Sequence, residues 1–393
     1  MVTRSFKPLK TRSFFLFGPR GSGKSTWLRE NLKDSDVLIL NLLDPTVYEN
    51  FLLAPKKFYE VVTAKENLNK IIVIDEVQRV PALLDIVHDL ISTSKRIFIL
   101  TGSSARRLKQ KGVNLLAGRA SVYNMYPFSM QELGDDFKLE KALSRGLLPE
   151  SYFSNDENES QEFLKAYVIT YLEKEIQQEQ WVRKIEPFRK FLQIAAQMNS
   201  KVINKSKIAK QIGVESSTVE SYFEILEDTL IGFGLPGYTT SIRKQVKISD
   251  KFYFIDTGIV RAVEKTLSIP MIDHTAYYGS LFETFIVLEF KKFIEYNRLE
   301  WTLNYLSTKE NIEIDLVVTR PQKPPLLIEI KSTQSVFESD IKSLKRLGSD
   351  LDSFFKKSCP KILISQDTLS REINEVECWH YSELTKKIKK FMV

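Results

Sequence analysis

Short, unbroken apolar runs recur through the first 135 residues, at Phe14–Phe17, Val37–Asn41, Lys70–Asp75 and Arg96–Leu100, and stretches with helical spacing separate them. Runs of this kind predict buried strands, and their alternation with helices predicts an α/β layer built on a parallel sheet. From about residue 136 to residue 262 the pattern turns mostly helical. "FLKAYVITYLEKEIQ" and "FRKFLQIAAQM" carry apolar residues at helical spacing. "KSKIAKQIGVESSTVESYFEILEDTL" predicts a short helix, a turn at Ile212-Gly213-Val214 and a second helix opened by Ser216 or Ser217, the layout of a helix-turn-helix. In the last third, "NIEIDLVV" alternates, which places Ile312, Ile314 and Leu316 on one face of a strand and Glu313, Asp315 and Val317 on the other. The proline-bearing turn "RPQKPP" separates it from "LLIEIKS", with Ile328 and Ile330 on one face and Glu329 and Lys331 on the other. The expected organisation is three domains, 1–135, 136–262 and 263–393.

The glycines between the first strand and the first helix bring chemistry into this outline. "GPRGSGKST" supplies Gly18, Pro19, Arg20, Gly21, Ser22, Gly23, Lys24, Ser25 and Thr26. A loop without bulky side chains turns its N–H groups inward around an anion, and the N-terminus of the following helix adds a favourable dipole. Lys24 is then expected to reach the β- and γ-phosphates of a nucleotide and Ser25 to hold Mg²⁺, so ATP and Mg²⁺ are the expected cofactors. The third apolar run ends in Asp75-Glu76, two carboxylates at the strand edge where an open α/β sheet places its ligands. Asp75 is expected in the magnesium shell and Glu76 as the base that polarises the attacking water. Ser103, after the fourth run, is the expected sensor of the γ-phosphate. Arg119 is the expected arginine supplied across a subunit boundary, which implies a homo-oligomer, with Arg106 as a weaker choice; a solvated face or a local ion pair is the plainer alternative for Arg106, Arg107 and Arg119.

Composition narrows the remaining classes. The 393 residues are 43% hydrophobic and 27% charged, an ordinary globular balance. The longest apolar stretches, about five to seven residues, fall far below the roughly twenty needed to cross a bilayer, and the basic start lacks an apolar signal core. A cytoplasmic location with no membrane contact is expected. Cys359, Cys378, His88, His274 and His380 are too scattered for a disulfide framework or a zinc cluster. The net charge of +7 is compatible with nucleic-acid contact without demanding it. Charge also argues against base reading by the second helix, which carries Glu220, Glu224, Glu227 and Asp228, with no Lys or Arg between Ile212 and Ile242. Lys201, Lys205, Lys207 and Lys210 before it, and Arg243, Lys244, Lys247 and Lys251 on an expected wing after it, leave backbone contact open.

The segments "FLFGPRGSGKST", "IIVIDEVQRVPALL", "FILTGSSARRL", "LAGRA", "YPFSMQEL", "KFYFIDTGIV" and "GSLFETFIVLE" occur in an order that resembles the prokaryotic AAA-type ATPases carrying a C-terminal domain of unknown function. The resemblance implies an N-terminal P-loop AAA-type ATPase domain, ATP binding and hydrolysis, and a winged-helix middle segment. Glu283 on a helix, Asp315 on one strand and Glu329-Ile-Lys331 on the next resemble the PD-(D/E)xK nuclease fold. In that likeness Glu283, Asp315 and Glu329 are oxygen ligands for Mg²⁺, and Lys331 orients water. The plainer alternative is an exposed strand face with cross-strand ion pairs. Two functions follow: an ATPase controlling a nuclease-like domain that acts on nucleic acid, or a nucleotide-dependent switch that binds a protein partner through a catalytically silent C-terminal domain.

Overall fold

A sheet covered on both faces accommodates strands without a polar side, and the apolar runs of the N-terminal third form one. In the computed structural model they are β1 (Phe14–Phe17), β2 (Val37–Asn41), β3 (Ile71–Asp75) and β4 (Phe98–Gly102), joined by β5 (Ser121–Asn124). The order is β2-β3-β4-β1-β5 and every pairing is parallel. Phe15, Phe17, Ile72, Ile74 and Leu100 pack with Phe58 and Val62 of the helix Pro55–Thr63 and with Leu84 and Val87 of the helix Leu83–Ser94. Because the strands are parallel, the residues after Phe17, Ile74 and Thr101 leave the sheet at one edge. The structure describes residues 2–9, 11–104, 116, 118–175, 182, 184–239, 249–308, 310 and 312–392. The chain divides into two compact units, Met1–Phe128 with Glu224–Ile231, and Ser129–Phe223 with Gly232–Val393.

Local capping explains two of the sequence segments in the second unit. In "YPFSMQEL", Ser129 and Glu132 form a reciprocal capping box at the helix Met130–Leu133. In "FIDTGIV", Asp256 caps the helix Thr257–Glu264 and also accepts the N–H of Leu147 at 2.5 Å. The helices Lys205–Ile212 and Ser216–Asp228 flank Gly213, whose φ of 71° makes the turn expected there. A small antiparallel sheet, ordered β6-β8-β7, consists of β6 (Lys201–Val202), β7 (Gly232–Leu235) and β8 (Lys251–Phe254). Arg243, Lys244 and Lys247 lie outside the described residues. Lys251 is not a wing residue facing solvent but part of a strand buried at every position.

The C-terminal part runs helix Ala276–Tyr296, β9 (Thr302–Ser307), β10 (Glu313–Arg320), β11 (Lys323–Ile330), helix Lys342–Phe355, β12 (Lys361–Ser365), β13 (Arg371–Ile373) and β14 (Val376–His380). The six-stranded order is β13-β14-β12-β11-β10-β9, with β11, β12 and β14 parallel and β9 to β11 antiparallel. Two expectations change here. The turn of "RPQKPP" is only Pro321-Gln322, and Pro324 and Pro325 stand at the start of β11, where a strand tolerates proline. The alternation of "NIEIDLVV" breaks: the register against β9 shifts between Ile314 and Val317, and Val317 joins Ile314 in one core with Leu327, Leu344 and Leu363. Cys359 and Cys378 are buried free thiols in that same core. Among the described residues, no helix is long and apolar enough to cross a membrane.

Candidate functional site

The loop after β1 owes its shape to close backbone approach. A Cβ on Gly18 would lie 2.4 Å from the carbonyl oxygen of Met125, and Gly23 has a φ of 97° that few other residues adopt. Lys24 opens the helix Lys24–Asn31, is 7% exposed, and turns its ammonium back to Gly18 O (2.7 Å) and Pro19 O (3.2 Å). Burial lowers its pKa, while Glu76 and Asp75 oppose the shift and Arg20 adds to it. Ser22 is fully buried and its Oγ has no hydrogen-bond partner. Pro19 is buried, whereas Arg20, Gly21, Ser25 and Thr26 face solvent.

The acids stand beside this loop. Thr101 Oγ1 donates to Asp75 Oδ1 and accepts the N–H of Glu76 at 3.3 Å. Glu76 holds a left-handed backbone, φ 60° and ψ 46°, a conformation that costs a non-glycine residue about 1 kcal/mol or more and collects at functional sites. Gln78 Nε2 donates to Glu76 Oε2 and to Ser103 Oγ (3.3 Å), which links the expected base to the expected sensor. A Cβ on Gly102 would lie 2.5 Å from Gln78 Oε1, so the glycine makes room for this amide. Gln78 and Thr101 were not among the residues expected from sequence, although a threonine closing an apolar strand and a glutamine two residues after the acid were visible signs.

Arg119 stands elsewhere in the unit. Its Nε donates to Ser92 Oγ at 2.9 Å, near the C-terminus of the helix Leu83–Ser94. The strand it precedes begins at Ser121, whose partner is Phe14, the first residue of β1, while the phosphate loop follows the last. Arg119 therefore sits at the sheet edge opposite its own phosphate loop. Arg106 and Arg107 lie outside the described residues.

The C-terminal acids also gather, but with unexpected company. Two-residue alternation along β8 sends Phe252 against Phe223 at 4.8 Å and turns Lys251 and Tyr253 the other way. Glu283 Oε1 accepts from Tyr253 Oη (2.6 Å) and Lys251 Nζ (3.2 Å), and Lys251 also pairs with Glu313. Asp315 Oδ2 accepts the N–H of Ile330 at 2.8 Å. Lys331 Nζ pairs with Glu329 Oε1 at 2.7 Å, and Glu329 Oε2 is buried without a partner. Burial and the charge of Asp315 push Glu283 up to about 7 and Glu329 up to about 8, against Lys251 and Lys331 respectively. Burial would lower the Lys251 ammonium, but Glu283, Asp315 and Glu313 outweigh it and hold the pKa above the usual lysine range. Among the described residues, no three His, Cys, Asp or Glu side chains are grouped so that they could hold a metal ion. Of the expected ligands, Glu283 is held by a lysine and a tyrosine, Asp315 by a backbone donor and Glu329 by a lysine.

The parallel sheet brings the glycine loop, Lys24 and the two acids to one edge. Residues 10–134 match the family model of an AAA domain, which supports an AAA-type ATPase. Residues 136–269 and 278–384 match two domains of unknown function (DUF8612 and DUF4143). An uncharacterized protein of Mycobacterium tuberculosis is 23% identical over 322 residues, covering 81% of this chain and 70% of that protein. Two uncharacterized proteins of Methanocaldococcus jannaschii are 22% and 24% identical, each covering 86% of this chain and 78% and 79% of their own lengths.

Proposed function

We propose that the chain is an ATP-hydrolysing switch whose N-terminal domain controls the state of the C-terminal domain. The observation that carries the ATPase reading is the grouping of Lys24, Asp75, Glu76 and the Gln78–Ser103 link around one glycine loop. A nucleotide fits the donors present: Ser22 Oγ is buried and unpartnered, and the cradle at Gly18 is one that a Cβ would fill. Lys24 exchanges the Gly18 and Pro19 carbonyls for the β- and γ-phosphates. Ser25 and Asp75 would hold Mg²⁺, which needs few protein oxygens because it keeps several waters. MgATP supplies the phosphoanhydride bond and the charge that its cleavage redistributes. Glu76 accepts the proton of the attacking water, with Gln78 fixing its carboxylate until then. Arg119, remote from its own loop, suits service to a neighbouring copy, so the working form is a homo-oligomer.

For the C-terminal domain, an acid on a helix, an acid on one strand and Glu-x-Lys on the next support a nuclease-like topology and nucleic acid as the substrate class. The lysine and tyrosine contacts of Glu283 and the Lys331 contact of Glu329 favour the second reading, a silent domain that binds a partner.

The ATPase reading is tested by two substitutions with different jobs. Lys24→Ala removes the positive charge that meets the phosphates, and ATP binding should be lost. Glu76→Gln should leave binding intact and lower turnover by about 10² or more, the usual worth of a positioned base. Wild-type turnover in Glu76→Gln would overturn the assignment of the base.

A further inference from the structure

We propose that the ammonium group of Lys251 takes the place of a divalent metal ion beside Glu283 in the C-terminal acid cluster. The inference rests on the nuclease-like reading of this domain only for where a cation would sit, and it is independent of the ATPase reading.

The Lys251 side chain is 4% exposed, enters from β8, and sets its Nζ 3.2 Å from Glu283 Oε1 while pairing with Glu313. Tyr253, two residues on and therefore on the same side of the strand, donates to the same oxygen at 2.6 Å. A hard divalent ion needs carboxylate oxygens turned toward one point. Here Glu283 Oε1 is taken by two donors, Asp315 Oδ2 by Ile330 N–H and Glu329 Oε1 by Lys331, which leaves Glu329 Oε2 buried without a partner. An ion seated between Glu283 and Asp315 would meet a neighbouring ammonium on a buried side chain, with its Nζ 5.6 Å from the centroid of the Tyr305 ring. Neither metal nor lysine gains from sharing the acids, and the lysine is tethered.

The test uses the full chain without nucleotide, with Mn²⁺ alone as the probe and thermal melting and Mn²⁺ electron paramagnetic resonance as readouts. Wild-type protein should show no Asp315-dependent response: the shift of its melting temperature across a Mn²⁺ series should match that of Asp315→Asn, whatever their difference without the ion. Lys251→Met removes the internal cation, so the protein should melt lower in a chelator and be raised by Mn²⁺ in a saturable way. Adding Asp315→Asn to Lys251→Met should cancel that rise. Lys251→Gln, which keeps a hydrogen-bond donor for Glu283 without the charge, serves if the methionine variant fails to fold. Should neither variant fold, the wild-type and Asp315→Asn series decides alone. A wild-type rise in Mn²⁺ that Asp315→Asn abolishes overturns the proposal, as do folded Lys251 variants indifferent to Mn²⁺. ATP turnover of the wild type, followed in parallel, separates the two claims, because its absence counts against the ATPase reading and leaves this one standing.

Discussion

One oxygen of Glu329 rests on Lys331 and the other, buried, on nothing. A carboxyl so placed prefers its proton, since burial and the nearby charge of Asp315 both penalise the ionised form. With the folded group at about 8 and the unfolded one near its ordinary value, the folded chain holds more protons across that interval. The contribution is present at low pH and lost as pH rises toward 8, and Glu283, at about 7, acts with the same sign. Urea titrations at pH 5 and pH 8.5 should therefore show wild-type protein losing on the order of 1 kcal/mol or more relative to Glu329→Gln, which cannot ionise. Parallel pH curves would remove the argument. At this scale spacing was enough to nominate Lys24, Asp75 and Glu76, which the fold brings near one another. Partners were not legible: Lys251 and Gln78 act on acids through folding, and nothing in their immediate sequence names those acids.

At the scale of elements, the apolar runs of the first unit became strands because a parallel sheet asks only for continuous burial. β10 was harder. Alternation assumes that each residue turns the chain by half a revolution, and the register shift between Ile314 and Val317 breaks that assumption. Val317 is fully buried, so Val317→Ala should cost about 2 kcal/mol by loss of buried methyls and the cavity left behind. On an exposed acid-bearing face the same change would cost no more than about 0.5 kcal/mol. Chemical denaturation distinguishes the two, and the smaller value would restore the simple alternation. A second element-scale test concerns Gly102. Gly102→Ala places a methyl on Gln78 Oε1, so it should displace the amide that holds Glu76 and alter turnover while leaving ATP affinity nearly unchanged. An unaltered turnover number would detach Gln78 from the mechanism.

Across the whole molecule, the sequence outlined an N-terminal ATPase followed by two further segments, and the AAA-domain match over residues 10–134 agrees with the first. What the later segments bind stayed out of reach, because the acidic second helix and the modest net charge point to no single partner chemistry. Assembly is the property on which the account depends most. Arg119 lies at the sheet edge away from its own phosphate loop, so turnover should need a second copy. Phosphate release measured over a range of protein concentrations, with equimolar Lys24→Ala and Arg119→Ala protein as the key sample, tests this directly. The account predicts that specific activity of the wild type rises with concentration. It also predicts that the two inactive proteins recover part of the activity when mixed, since mixed assemblies regain sites holding both groups. A wild-type protein that binds ATP yet releases no phosphate at any concentration, or a mixture as inactive as its parts beside an active wild type, would contradict it.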